Sequence, residues 1–109
     1  MANVYRNAKV DFTTTDNTTV YTVPSNSRAI IKSILVSEDS GNADSISVTL
    51  TDASSNVFSL FKTKAVSANG TEELISQPII LQESEILKAQ ATTAGRLHMV
   101  ASLLEINRD

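Results

Sequence analysis

Cysteine and tryptophan are absent from this chain of 109 residues, and it holds a single histidine. Without cysteine the chain has no disulfide, no thiolate ligand for zinc and no thiol nucleophile. Aromatic residues make up only 5% of the sequence, so the stacking surfaces on which proteins bind sugars and bases are scarce. These shortages exclude thiol chemistry and disfavour recognition by stacking.

An excess of positive charge is also missing. Nine Lys and Arg residues face twelve Asp and Glu residues, which gives a net charge of −3 and argues against binding to a phosphate backbone. No apolar run exceeds three residues, whereas a signal peptide or a membrane span needs a much longer one. We therefore expect a single domain over residues 1–109, made in the cytoplasm, with no nucleic-acid or membrane partner.

Alternation of apolar and polar residues, rather than helical spacing, runs through the chain. In the segment 45–51, Ile46, Val48 and Leu50 alternate with hydroxyl residues. Turn residues interrupt the alternation every ~8–12 residues, and Asn69-Gly70 is the strongest tight-turn signal. Eight or nine short strands are predicted, within the segments 3–13, 18–23, 28–37, 45–51, 57–64, 71–75, 79–81, 85–91 and 96–106.

The spacing between these segments leaves no room for the crossover helices that parallel sheets require. Many short strands at this spacing are typical of an antiparallel sandwich or barrel. The predicted fold class is therefore all-β: an antiparallel β-sandwich of about eight strands, with jelly-roll or Ig-like connections.

His98 is the residue on which a Ser–His–Asp site would depend, because the chain has no other histidine. Serine and aspartate are plentiful, so their presence alone carries little weight, and no G-x-S-x-G nucleophile turn exists. The alternative is a strand residue that faces solvent or a neighbouring subunit, and we favour it. We expect no enzymatic activity, no catalytic residue and no cofactor.

Two acidic motifs invite a chemical interpretation. Glu72 and Glu73 are adjacent on a predicted strand, so they point to opposite faces and do not converge on a substrate. The loop 39–44 is faintly similar to a calcium loop, but its glycine lies at the wrong position for an EF-hand. A cation held by Asp39, Asn42 and Asp44 remains an alternative to an ordinary strand connection, and we expect no metal.

The anomaly in the pattern is that two strands are apolar on both faces, whereas a sandwich strand normally shows one face to water. In the segment 28–37 one parity carries Ala29, Ile31 and Leu35, and the other carries Ile30, Ile34 and Val36. In the last strand one parity carries Leu97, Met99, Ala101 and Leu103, and the other carries Val100, Leu104 and Ile106.

Something must cover the second apolar face, because covering ~400 Å² contributes on the order of 10 kcal/mol before association costs. Three arrangements would do so. The chain's own N-terminal segment could lie over the face with Val4, Val10 and Phe12; another subunit could cover it; or the strands could close into a distorted barrel around one core.

Two segments carry a resemblance to a known family. The residues 19–24 (TVYTVP), followed by 28–37 (RAIIKSILVS), and the closing stretch 86–106 (ILKAQA, then AG, then SLLEI) are similar to small β-sandwich virion proteins of tailed bacteriophages, notably those of marine and cyanobacterial hosts. The resemblance implies a structural part of a phage particle, most directly a capsid decoration (cement) protein. A neck, tail or fibre accessory protein is the alternative within the same family.

The resemblance also implies a location in the virion and two kinds of partner: further copies of the chain, with a trimer as the expected order, and major capsid or neck and tail proteins. Residues 1–17 are expected to form a contact strand or arm. Within it we select Tyr5, Arg6 and Phe12 as interface residues, since Tyr and Arg are enriched at the centres of interfaces. A receptor- or carbohydrate-binding module and a small hydrolase are the competing functional hypotheses.

Overall fold

The computed structural model describes residues 2–108, and these form nine β-strands and no helix. The strands are β1 (Ala2–Asp11), β2 (Thr18–Thr22), β3 (Ser27–Glu38), β4 (Asp44–Thr51), β5 (Val57–Val66), β6 (Thr71–Glu73), β7 (Ile79–Leu81), β8 (Ile86–Ala91) and β9 (Leu97–Asn107). Each predicted segment overlaps one of them, with bounds that differ by one or two residues at most of the ends. The predicted all-β class is confirmed.

The strands form two antiparallel sheets. Sheet A has the order β1-β9-β3-β6, with β7 also paired to β3, and sheet B has the order β2-β8-β4-β5. The pairings are nested: β1 with β9, β2 with β8, β3 with β6 and β7, and β4 with β5. A long hairpin rolled into two layers gives this nesting, which is the jelly-roll arrangement. Of the two predicted topologies, the jelly roll is therefore the one observed.

The core lies between the inner faces of the two sheets. From sheet A, β9 contributes alternate residues that are at most 2% exposed, Leu97 to Leu103. From sheet B, Ile46 and Val48 of β4 and Leu87 of β8 are fully buried. The period of two in a strand places these residues on one face, so the alternation in the sequence is the direct cause of the layered core.

A β-bulge in β3 corrects one of the sequence predictions. The register between β3 and β9 shifts between Ile31 and Ser33, and an extra residue at a bulge reverses which parity faces inward. Ile31 and Ile34 are consequently both buried, while Leu35 is 41% exposed. The prediction that Ile31 and Leu35 share one face was wrong, because simple alternation cannot register the extra residue.

The carboxylate of Glu73 holds this bulge in place. It accepts a hydrogen bond from the backbone N–H of Ile34 at 2.8 Å and another from the hydroxyl of Ser33. Glu73 lies on the neighbouring strand β6, so one side chain satisfies the backbone group that the bulge would otherwise leave unpaired.

A second carboxylate organises the end of β3. Glu38 is 2% exposed and accepts hydrogen bonds from the backbone N–H groups of Ser40, Gly41 and Asn69 at 2.7, 3.1 and 3.0 Å, and from the Ser40 hydroxyl. Burial alone would raise the pKa of Glu38, but these hydrogen bonds outweigh it and lower the pKa from the ordinary 4.5 to about 2.

We expect Glu38→Gln to lower the melting temperature near neutral pH, because it removes the charge from an acceptor of several hydrogen bonds. The folded-state pKa is depressed, so the stabilisation is present above pH 4.5 and is lost as the pH falls towards about 2. Thermal unfolding followed by circular dichroism across that range should show the difference between wild type and variant shrinking. An unchanged difference at every pH would contradict this role.

Candidate functional site

The outer face of sheet A carries a continuous row of apolar side chains. Tyr5 lies opposite Leu104, Leu104 opposite Ile30, and Ile30 opposite Ile80, so the row crosses four neighbouring strands in register. Its two ends are the most exposed, with Tyr5 at 75% and Ile80 at 62%. We call these four residues the apolar row.

Further apolar residues surround the row on the same outer face. Ile106 lies beside it at one end of β9, and Val100 and Leu35 lie opposite each other further along β9 and β3. Together with the apolar row they form what we call the apolar face. The predicted second apolar face of the last strand is therefore confirmed, and in residues 2–108 no other element packs over it.

The N-terminal segment does not cover this face, so the first of the three arrangements considered above does not occur. Residues Ala2–Asp11 form the edge strand β1, which pairs with β9 and extends sheet A sideways. Val10 and Phe12 point into the core side of the sheet, where Phe12 is 1% exposed. Backbone pairing along a full strand explains why the segment joins the sheet edge instead of lying across the sheet.

Basic side chains border the apolar row. Lys32 of β3 places its Nζ 5.9 Å from the ring centroid of Tyr5, a cation–π distance. Arg28 and Lys9 lie on the same outer face at neighbouring register positions, opposite Ile106 and Val100. A shallow concavity of about 280 Å³ lies beside Tyr5, and its lining includes Lys32, Arg6, Asn7 and Ser102.

Arg6 is fixed by a carboxylate that joins the two sheets. Glu105 of β9 is 7% exposed; it accepts a hydrogen bond from Arg6 Nε at 3.2 Å and one from the hydroxyl of Tyr21 at 2.6 Å. Tyr21 belongs to β2 of sheet B, so the bond crosses the sandwich. Burial, the hydrogen bond to Glu105 and the negative charge of Glu105 together raise the pKa of Tyr21.

The outer face of sheet B has the opposite character. Across it, Thr19 pairs with Lys88, Lys88 with Thr49 and Thr49 with Ser59, so the row that corresponds to the apolar row is polar. Among the described residues of this sheet, the large apolar side chains that are exposed lie at one end of β5, where Val57 is 63% exposed and Phe58 follows it. The sandwich therefore has one apolar outer face and one hydroxyl-rich outer face.

The structure separates the predicted interface residues. Tyr5 is exposed in the apolar row, and the Arg6 side chain is 53% exposed at the adjacent edge. Phe12 is part of the core, so its ring cannot contact a partner unless the core opens. Phe12 was selected as part of the expected contact arm, but its side chain lies on the face of the sheet that the sandwich buries.

His98 lies on the outer face of sheet A between two aspartates. Its Nε2 is 3.2 Å from Asp11 and its Nδ1 is 3.6 Å from Asp39, and its side chain is 44% exposed. Both imidazole nitrogens face carboxylates, which leaves no nitrogen to accept a proton from a serine hydroxyl. The arrangement is that of a polar contact on the surface of the sheet.

The carboxylate oxygens of the acidic loop 39–44 do not point towards a common position. Asp39 faces His98, while Asp44 accepts a hydrogen bond from the N–H of Thr93 at 3.0 Å. Its Ser40 and Gly41 N–H groups bind the carboxylate of Glu38. Among residues 2–108 no three His, Asp or Glu side chains converge on a metal position, and no helix in that range is long and apolar enough to cross a membrane.

Sequence reasoning missed Lys32, Glu105 and Tyr21. Lys32 could have been found, since it lies on the outer parity of an apolar strand. The network of Glu105 had no sequence signal, because its partners lie 99 and 84 residues away along the chain.

We expect Tyr21→Phe to destabilise the fold by about 1.5–3 kcal/mol, because Glu105 loses a hydrogen bond while it stays buried. The pKa of Tyr21 is raised in the folded state, so the contribution is present below the ordinary value of 10.0 and is lost as the pH rises beyond it. Urea denaturation near neutrality measures the effect. Tyr5→Phe is the matched control, since its hydroxyl bonds to no described residue, and an equal effect of both variants would contradict the role of Tyr21.

No family model matches this sequence, and no curated protein matches it. Several solved structures share its fold. A chain in the acid-stable capsid structure of Helicobacter pylori bacteriophage KHP30 has 12% identity and a TM-score of 0.59, and the match covers 97% of this chain and 89% of that chain.

Two further similarities have the same character. The core of Drosophila NLP, described for its pentamer formation and histone binding, has 12% identity and a TM-score of 0.52, with 91% of this chain and 96% of that chain covered. A chain of infectious bursal disease virus, Gx strain, has 10% identity and a TM-score of 0.52, with 94% and 32% covered. At these identities the comparisons show that the chain is similar to these proteins in its jelly-roll fold.

Proposed function

We propose that this chain is a non-enzymatic structural protein of a bacteriophage particle, specifically a decoration protein on the outside of the capsid. The difference between its two outer faces carries the proposal. A protein that lies between a particle and the surrounding water needs one face that binds protein and one that remains hydrated. The apolar face of sheet A and the hydroxyl-rich face of sheet B meet these two requirements.

The size of the apolar face supports a protein partner. Four strands span ~14 Å, and the rows from Ile106 to Val100 span ~20 Å along the strands, which gives an area on the order of 300 Å². Because Lys32, Arg28 and Ser102 occupy part of this footprint, its apolar area is smaller, and covering it would contribute at most about 7 kcal/mol before association costs. A contiguous exposed patch of this kind marks an interaction surface more often than an accident of packing.

The remaining chemistry supports a structural role. His98 is held between two aspartates, and the buried carboxylates of Glu38 and Glu105 and the exposed carboxylate of Glu73 are occupied by backbone and side-chain donors of the fold itself. The fold similarity to a chain of a phage capsid structure, with most of both chains covered, supports the same proposal. Tyr5 and Arg6 are the residues that we assign to the contact.

The chain acts in the virion, bound to a particle protein and to further copies of itself. Immunogold labelling distinguishes head, neck and tail positions. Antibodies are raised against the purified chain and applied to phage particles whose genome encodes it. Gold spread over the heads is expected. Gold confined to the neck or tail overturns decoration in favour of an accessory role, and absence of the chain from purified particles overturns the virion proposal.

We expect Ile80→Lys to lower binding to particles assembled without this chain by about tenfold or more, since it places a charge in the apolar row (tenfold corresponds to ~1.4 kcal/mol). Val57→Lys is the matched control: the two residues are equally exposed, at 62% and 63%, but Val57 lies on sheet B. Co-sedimentation with the particles measures both variants. Equal losses, or a larger loss for Val57→Lys, would place the contact elsewhere.

We expect His98→Ala to leave particle binding unchanged within about twofold, because polar contacts between exposed side chains contribute little. The purified variant and the wild type are compared in the same co-sedimentation assay, with circular dichroism to confirm the fold. Loss of a defined turnover activity in the folded variant would refute the non-enzymatic role.

A further inference from the structure

Most edges of the two sheets carry features that prevent pairing with another chain. In sheet A, β6 and β7 have three residues each. In sheet B, β2 has five residues and a register shift between Thr19 and Tyr21. The longer edge strand β5 has two register shifts, carries Lys62 and Lys64, and holds Thr63 at a φ of 49°.

The edge strand β1 is neither short nor interrupted by a register shift, and its two basic residues do not share a face: the Arg6 side chain is bound by Glu105, and Lys9 lies on the outer face. It has ten residues, contains no proline and pairs with β9 in unbroken register from Ala2 to Asp11. In residues 2–108 no strand pairs with its other edge. A long, regular and unprotected edge is an aggregation hazard unless it has a specific partner.

The backbone geometry identifies which groups face that free edge. The N–H of Phe12 donates to the carbonyl of Leu97 at 3.1 Å, so this is a hydrogen-bonded pair of the β1–β9 ladder. Hydrogen-bonded pairs recur at every second residue of an antiparallel ladder. The N–H and C=O groups of Asn3, Tyr5, Asn7 and Lys9 therefore point away from β9 towards the free edge.

We propose that β1 pairs antiparallel with β1 of a second copy of this chain, about a two-fold axis at Asn7. Residues opposite each other in antiparallel strands share a face, so odd-numbered residues must lie opposite odd-numbered ones. With Asn7 opposite Asn7, Val4 lies opposite Val10 of the second copy and Tyr5 lies opposite Lys9.

The neighbouring registers are worse. A two-fold axis at Arg6 places two guanidinium groups directly opposite each other, which is destabilising. Axes at Tyr5 or Ala8 pair fewer residues of the strand. The register about Asn7 is the longest that sets no like charges opposite each other, and it brings a second ammonium group to Tyr5, beside that of Lys32.

This pairing joins the two A sheets into one continuous sheet and places the two apolar faces side by side. It goes beyond the proposed function and can be tested on the purified chain alone. A monomeric chain that nevertheless labels particles would overturn this contact and leave the proposed function standing. A chain that dimerises through β1 but is absent from particles would support this contact and overturn the proposed function.

The absence of cysteine makes the register measurable, because Asn7→Cys introduces a unique thiol. Opposite hydrogen-bonded residues have Cα atoms ~5.5 Å apart, within the ~4.4–6.8 Å that a disulfide spans. Asn3→Cys is the matched control: it replaces the same residue type on the same face of β1, but its two copies would lie ~27 Å apart. We expect Asn7→Cys to form covalent dimers at least tenfold faster under mild oxidation.

A pair of charge variants tests the same register without cross-linking. Asn7→Arg sets two guanidinium groups opposite each other at the axis, whereas Asn3→Arg sets one opposite Asp11 of the second copy. Sedimentation equilibrium should show the dimer dissociation constant raised about tenfold or more by Asn7→Arg and not raised by Asn3→Arg. Equal cross-linking of the two cysteine variants, equal effects of the two arginine variants, or a wild type that is monomeric at every concentration would overturn the proposal.

Discussion

The period of two along a β-strand is the constraint on which the rest of this molecule depends. It assigns every residue of sheet A to the core or to the outer face, and in β9 both sets are apolar. The inner set is used in the sandwich. The outer set, which includes Leu104 and Ile106, does not contribute to the core of a two-layer fold, and residues 2–108 form no third layer over it. An interaction surface is the direct consequence.

Three carboxylates, two of them buried and that of Glu73 exposed, hold the geometry of that surface. Glu73 stabilises the bulge in β3 and so determines that Leu35 faces outward. Glu38 binds the N–H groups of the loop that follows β3. Glu105 bonds to Tyr21 across the sandwich and to Arg6 at the sheet edge. A small core without cysteine gains rigidity from such charge-assisted hydrogen bonds, because a carboxylate can accept several at once.

The strands could be predicted from the sequence because alternation and turn residues are local properties of the chain. The second apolar face of the last strand could be predicted for the same reason. The bulge in β3 could not, since the residue that stabilises it, Glu73, lies 39 residues from the N–H of Ile34 along the chain. Phe12 was misplaced because alternation assigns a parity, and only the packing of two sheets shows which parity is buried.

The apolar face and the free edge of β1 are perpendicular surfaces, and this makes them compatible. Pairing along the edge uses backbone hydrogen bonds in the plane of the sheet, whereas docking through the face uses side chains that project perpendicular to that plane. Tyr5 belongs to both, since its backbone faces the edge and its ring lies on the face. Association through the edge therefore leaves the face uncovered and doubles its extent. In the proposed dimer, two docking surfaces held in one rigid sheet would bind a repetitive particle surface more tightly than either alone, because the second contact would form at a high effective concentration.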